Sequence, residues 1–184
     1  MNAKAKSEAT VTMTSTRKQV AVVVGATSKW QANGRNTALM HGGVIDDRDL
    51  PVGIRWGVGG AIAQKFAQEG FLVVLTTRKS SNAAALHEAI SAQGGESFIV
   101  ELDLTSRESI SSAFAQIRER AGDPDVVVYN AGYLEGRELP PEKELLEHVP
   151  LEILETGLHI ACRGPFIVAQ EVLPAMRKRG SGAF

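Results

Sequence analysis

The run Val20–Val24 (VAVVV) is apolar at every position. A strand with one wet face alternates apolar and polar residues. An unbroken β-branched run suits a strand covered on both faces, which is the situation in parallel sheets. Parallel strands need long crossovers, usually helical, so this one feature directs the reading toward an α/β fold. Gly25 ends the run. Apolar runs at Phe71–Leu75 (FLVVL) and Val126–Tyr129, and the segment Ser97–Leu102, are predicted as three further strands.

The segments between them read as helices. In GVGGAIAQKFAQEG, residues Ile62, Ala63, Phe66 and Ala67 fall at helical spacing, and Gly70 is a C-terminal stop. Ser81–Gln93 is predicted helical and closed by Gly94 and Gly95. Thr105 and Glu108 form a T-x-x-E capping box for a helix running to about Ala121, with Ile110, Ala113, Phe114 and Ile117 as its apolar stripe. Asp123-Pro124 is a turn, and residues 142–179 are largely helical with interruptions at Pro150, Pro165 and Pro174. Strands alternating with helices predict a Rossmann-like, doubly wound parallel sheet in three α/β/α layers.

Length and charge narrow the function. The 184 residues suit one domain with a sizeable core. Twenty basic against 21 acidic residues leave a net charge of -1, which offers no electrostatic footprint for nucleic acid or an anionic membrane. No apolar run approaches the roughly 18 residues of a membrane span. The single Cys162 cannot form an internal disulfide, so a reducing compartment, the cytoplasm, is expected. Residues 1–18 are polar and lack an apolar core, which reads as a disordered tail; their Lys, Arg, Ser and Thr content bears only a faint likeness to an organelle signal.

A strand, a glycine turn and a helix together make a seat for a dinucleotide. Glycines let the backbone approach a pyrophosphate, and a helix N-terminus offers unpaired N–H groups and the positive end of its dipole. Gly57-Val58-Gly59-Gly60 opens the first helix in this way, although a flexible glycine loop before a helix would look the same. Order and spacing further on are more specific. Leu102-Asp103-Leu104 closes the third strand, and Asn130-Ala131-Gly132 closes the fourth, with Gly136 beyond. Both fall where the carboxyl ends of parallel strands meet a crevice.

At this point VVVGATS, joined to GVGGAIAQKFAQEGFLVVLTTR, resembles the opening of the short-chain dehydrogenase/reductase family, whose motif is G-x-x-x-G-x-G. ELDLTSRESI, PDVVVYNAGYLEG and GPFIVAQEVLPAMRKRGSG are similar to the family's next segments, in order. The likeness covers nearly all of the chain except residues 1–18 and one extra segment. It implies that Gly25, Ser28, Gly57, Val58 and Gly59 surround the pyrophosphate, that Asp103 and Leu104 border the adenine, and that Asn130, Ala131 and Gly132 line the cleft. An acid at the end of the second strand would bind a ribose hydroxyl and favour NAD. Here Thr77 is followed by Arg78 and Lys79, and a guanidinium suits a 2′-phosphate, so NADP is expected over NAD; stacking of Arg78 on adenine is the alternative. The implied activity is NADP-dependent oxidoreduction of a small carbonyl or alcohol substrate. A dinucleotide-binding or regulatory module without catalysis is the competing reading.

The sequence departs from the family in three places. Residues 26–56, 31 in all, separate Gly25 from Gly57 where the family has three, so Lys29–Trp56 is an extra segment, either a true insertion or a retained intron opened by a donor-like Ser28-Lys29. Closing the longer loop costs only about 2 kcal/mol more, so strand and helix are still expected to pair. Second, the family's chemistry uses a Tyr with a Lys four residues on, plus a Ser. Tyr129 is followed four residues later by Tyr133, and Tyr133 by Arg137, so no Tyr-x-x-x-Lys is present and no catalytic residue is assigned in this chain. The terminal GSGAF resembles the start of a fifth strand, so the sheet is expected to stop after about four strands, with Val126–Tyr129 at an edge and homo-oligomers expected only of a longer protein. Third, Ala161 stands where the family places an Asn that holds a relay water.

The remaining polar and reactive residues have plainer explanations. His41, His87, His148 and His159 lack ligand spacing, so no metal site is expected, and His159 reads as a packed or capping residue. Cys162 is expected to be an inert core thiol, while Trp30 and Trp56 are expected to be exposed. Arg177-Lys178-Arg179 suits a helix C-terminus, and the acidic stretch Glu135–Glu147 suits a solvated loop.

Overall fold

The computed structural model describes residues 17–32, 39–40, 43–44, 55–133 and 145–184. The tail reading of residues 1–16, most of the extra segment and most of the acidic stretch lie outside the described residues. Four strands form one parallel sheet: β1 (Val20–Val24), β2 (Leu72–Thr77), β3 (Glu96–Glu101) and β4 (Val126–Tyr129), in the order β3-β2-β1-β4. Val22 of β1 lies opposite Val74 of β2 on one side and Val127 of β4 on the other. Within the extra segment, Leu39–Met40 pairs antiparallel with Gly43–Val44.

The helices are α1 (Gly57–Gln68), α2 (Ala84–Ala92), α3 (Arg107–Ala121), α4 (Leu151–Leu158) and α5 (Gly164–Arg179). Because successive strand side chains face opposite ways, β1 feeds two cores. Val20, Val22 and Val24 join Phe98, Phe114, Ile117, Val168 and Val172 under α3 and α5. Val23 joins Val73, Leu75, Ala63, Leu86 and Ile90 under α1 and α2. The three-layer α/β/α expectation is met, and all five residues of β1 are buried, as its unbroken apolar run demands.

Several local readings change. The cap of α3 is Ser106, whose hydroxyl accepts from the Ser109 N–H at 3.1 Å. Thr105 does not cap, because its own hydroxyl donates to the Asp103 carboxylate at 2.7 Å. The stretch read as Ser81–Gln93 divides into a 3-10 turn (Ser80–Asn82) and α2. Pro150 caps α4, Pro165 sits in the first turn of α5, and α5 runs on through Pro174. Trp56 is not exposed; it is buried with Ala26, Ala63 and Leu86. Cys162 is not in the core; it is exposed. It lies in a π turn, His159–Arg163, between α4 and α5.

The outer side of β4 is not bare. Ala183 forms a parallel bridge with Val126, its N–H donating to Asp125 and its carbonyl accepting from Val127. GSGAF therefore begins to add a strand beside β4.

Candidate functional site

The carboxyl ends of all four parallel strands lie at one end of the sheet. Gly25 follows β1, Arg78 follows β2, Asp103 follows β3 and Asn130 follows β4. The N-terminus of α1 closes on the same place. Val24 is paired with Thr76 and with Tyr129, so Gly25, Thr77 and Asn130 emerge side by side, with Arg78 next after Thr77.

Three glycines make the approach possible. Gly25 has φ +80, and a Cβ there would stand 2.7 Å from the Ala131 Cα. Gly59 is buried, and its Cβ would stand 2.3 Å from the Gly25 carbonyl oxygen, 2.8 Å from that of Ala26 and 2.7 Å from the Asn130 amide nitrogen. The third glycine of such turns serves close helix–strand packing, and Gly59 does that here. Gly57 opens α1 at φ +66, and among the described residues no side chain caps the helix end. Its side-chain space is filled by the carboxamide of Gln31, from the 3-10 turn Lys29–Gln31 at the start of the extra segment.

Side chains brace the turn. Asn130 Nδ2 donates to the Gly25 carbonyl at 2.9 Å, and the Asn130 N–H to Val24. A buried polar chain sits beside it: Thr27 donates to the Asn82 carbonyl at 2.6 Å, and Thr77 to the Thr27 carbonyl at 3.2 Å. Thr76 donates to the Val23 carbonyl at 3.1 Å. The hydroxyls of β2 thus fasten the loops after β1 and β2 to each other. Asp103 turns inward to its own loop, accepting from the Thr105 N–H at 2.9 Å, while Leu104 is buried. Gly132, Arg78 and Val58 are exposed and Ser28 is half-buried. Nearby, Glu101 accepts from both the N–H and the hydroxyl of Ser80, at 2.8 and 2.7 Å, which holds its carboxyl below the usual range.

Behind the site, the Tyr129 hydroxyl donates to the Ile160 carbonyl inside the π turn. Gly164 leaves room for it, since a Cβ there would stand 2.5 Å from the phenol oxygen. Burial pushes the Tyr129 phenol up to about 12. Ala161 is exposed in the same turn. His159 is half-buried, and its carbonyl accepts the Gly164 N–H. Among the described residues no group of His, Cys, Asp and Glu could hold a metal, and no helix is long and apolar enough to cross a membrane.

A parallel sheet ordered 3-2-1-4, with a glycine turn and helix N-terminus at its carboxyl end, defines a Rossmann-like α/β protein. The chain belongs to the short-chain dehydrogenase/reductase family: residues 53–183 match a family model described as enoyl-(acyl carrier protein) reductase. It is 30% identical over 135 residues to a 3-oxoacyl-(acyl-carrier-protein) reductase of Staphylococcus epidermidis, covering 73% of this chain and 52% of that protein. It is 33% identical over 134 residues to the reductase of the same description from Aquifex aeolicus, covering 72% and 51%. A 3beta-hydroxysteroid dehydrogenase of Mediterraneibacter gnavus is 35% identical over 83 residues, 45% of this chain and 30% of that protein. The chain therefore spans about half or less of the length of these relatives. Among solved structures, a metagenomic short-chain oxidoreductase in complex with NADP superposes with a TM-score of 0.65 at 25% identity, over 90% of this chain and 60% of that one.

Gln31, Thr27, Thr77 and Asn82 had no part in the sequence-based site. Thr77 was visible only as the residue before Arg78, and Gln31 lies in a segment without periodicity.

Proposed function

We propose that residues 19–184 form the dinucleotide-binding part of an NADP-dependent oxidoreductase acting on a small carbonyl or alcohol substrate in the cytoplasm. The observation that carries this reading is the convergence of Gly25, Gly59 and Asn130 at the carboxyl end of the sheet, with the α1 N-terminus opening beside them. Gly25 and Gly59 let the turn and helix pack so closely that a Cβ would meet backbone, which supports a dinucleotide turn; at Gly57 the side-chain space is filled by Gln31. The bound nicotinamide would supply the hydride. The chain's own residues bind and orient: Gly25, Ser28, Gly57, Val58 and Gly59 beside the pyrophosphate, Asp103 and Leu104 beside the adenine, and Asn130, Ala131 and Gly132 along the cleft. Arg78, exposed next to the site, is proposed to read a 2′-phosphate and so favour NADP over NAD. The names of the relatives, a 3-oxoacyl reductase and a hydroxysteroid dehydrogenase, support a carbonyl/alcohol substrate pair.

A binding module without catalysis is the second reading, favoured by Ala161, which stands where the family places an Asn. An apolar row, Leu151, Leu154, Leu158, Phe166 and Leu173, is exposed along α4 and α5, which supports homo-oligomers of a protein carrying this domain. Titrating the chain with NADPH and NADH by nucleotide fluorescence tests the binding reading. Saturable binding with NADPH preferred is expected. No saturation by either at millimolar concentration sinks it.

A further inference from the structure

The second glycine of a strand–turn–helix site leaves the backbone bare so that a pyrophosphate can approach. Gly57 is that glycine, and its bare side is covered. From the position a Cβ would take, Gln31 Nε2 lies 2.0 Å away, Cδ 2.9 Å and Oε1 3.2 Å. Three atoms at those distances mean that the whole carboxamide lies over Gly57. Gln31 is held there by its own turn, its N–H donating to the Ser28 carbonyl at 2.9 Å. Ser28 in turn follows directly on Thr27, which is bonded into the buried polar chain below the site.

We infer that the Lys29–Gln31 turn is an autoinhibitory contact: the Gln31 carboxamide takes the place of the pyrophosphate, and a dinucleotide binds only after Gln31 withdraws. This rests on the proposed dinucleotide reading and deepens it. Phosphate oxygens and a carboxamide cannot occupy the same face of Gly57. Gln31 is uncharged and half-buried, so it competes with phosphate by occupancy and not by charge. A protein whose competent state is only partly populated binds with its affinity reduced by that fraction.

The experiment compares the full chain with Gln31→Ala and Gln31→Glu, using NADPH and adenosine 2′-monophosphate as probes, with thermal unfolding of each variant alongside. Gln31→Ala is expected to bind NADPH more tightly, on the order of threefold to tenfold if a tenth to a third of the native chains are open. Gln31→Glu is expected to bind it more weakly, because a carboxylate is favoured at a helix N-terminus and repels phosphate. Adenosine 2′-monophosphate, which has no pyrophosphate, is expected to bind all three equally. Equal NADPH affinity across the three chains, or weaker binding by Gln31→Ala, overturns the inference while leaving the dinucleotide reading intact. No NADPH binding by any of them overturns the dinucleotide reading, and the contact then guards nothing.

Discussion

Asn130 donates its side-chain amide to the carbonyl of Gly25 across 2.9 Å, tying the end of β4 to the glycine turn of β1. That amide, the Gly25 carbonyl and the hydrogen atoms of Gly59 share one crowded point, where a methyl group would stand within 2.7 Å of both partners. The turn is therefore shaped by packing as much as by hydrogen bonding.

Gly59→Ala tests this crowding. The added methyl meets backbone carbonyls that cannot step aside, so a loss of about 1–3 kcal/mol or more is expected. For a domain of this size each kcal/mol lowers Tm by about 2–4 °C. Gly132→Ala is the control, because among the described residues nothing lies within 4 Å of a Cβ there. Equal thermal melts for the two variants would refute the account.

Trp56→Ala is expected to cost about 3–5 kcal/mol, the usual range for emptying a large aromatic site. Trp56→Phe is expected to be far milder, because among the described residues the buried indole N–H has no hydrogen-bond partner to lose. Denaturant melts of both variants decide it; a small effect of the alanine change would place Trp56 at the surface after all.

Tyr129 makes stability depend on pH at the alkaline end. Its folded value is about 12, above the ordinary value of 10.0, so the fold favours the protonated phenol. The contribution is complete below about pH 10 and disappears as pH rises from 10 toward 12. Tyr129→Phe should flatten that part of the curve. Absorbance of the phenolate, taken as the difference between the two chains, should show Tyr129 ionising late; a midpoint near 10 would contradict its burial.

Arg78→Asp is expected to move preference from NADP toward NAD. A charge-assisted guanidinium–phosphate contact is worth roughly 1.5–3 kcal/mol, so the ratio of NADPH to NADH affinities should fall by about tenfold or more. An unchanged ratio would mean that Arg78 does not read the 2′-phosphate.

The 184-residue chain is expected to show no NADPH-dependent reduction of carbonyl compounds, because it contains no Tyr-x-x-x-Lys. NADPH oxidation over a panel of ketones, against a mock purification, measures it. Turnover that copurifies with the chain would show that other residues can do the proton transfer.

β1 and β2 were legible because burial on both faces leaves an unbroken apolar record. Their ends were not. β2 was read as Phe71–Leu75, yet Phe71 stands before the strand and packs edge-on against Phe66, with ring centroids 5.1 Å apart. At the other end, Thr76 and Thr77 are buried strand residues whose hydroxyls bond to backbone carbonyls, a satisfaction that hydropathy does not record. The cap of α3 was misplaced by one residue because Thr105 and Ser106 are equally good cap types, and the bond from Thr105 to Asp103 decides between them.

Cys162 was misread for a geometric reason. It was read from its apolar neighbours as lying in a regular helix, whereas it lies in a π turn, whose wider winding departs from 3.6 residues per turn, and it is exposed. The glycine site was legible in its order and spacing. The Gln31 contact was not, since it joins residues across a long segment with no periodicity and depends on where that segment folds back.

The contact between Gln31 and Gly57 has a practical consequence. The extra segment leaves the scaffold and returns to it at one spot, so its two tethers stand next to each other. A chain attached by adjacent tethers can be exchanged for another cassette with little demand on the scaffold's geometry. A reporter grafted between residues 32 and 55 would be anchored on both sides of the Gln31–Gly57 contact, so its signal would test whether that contact opens.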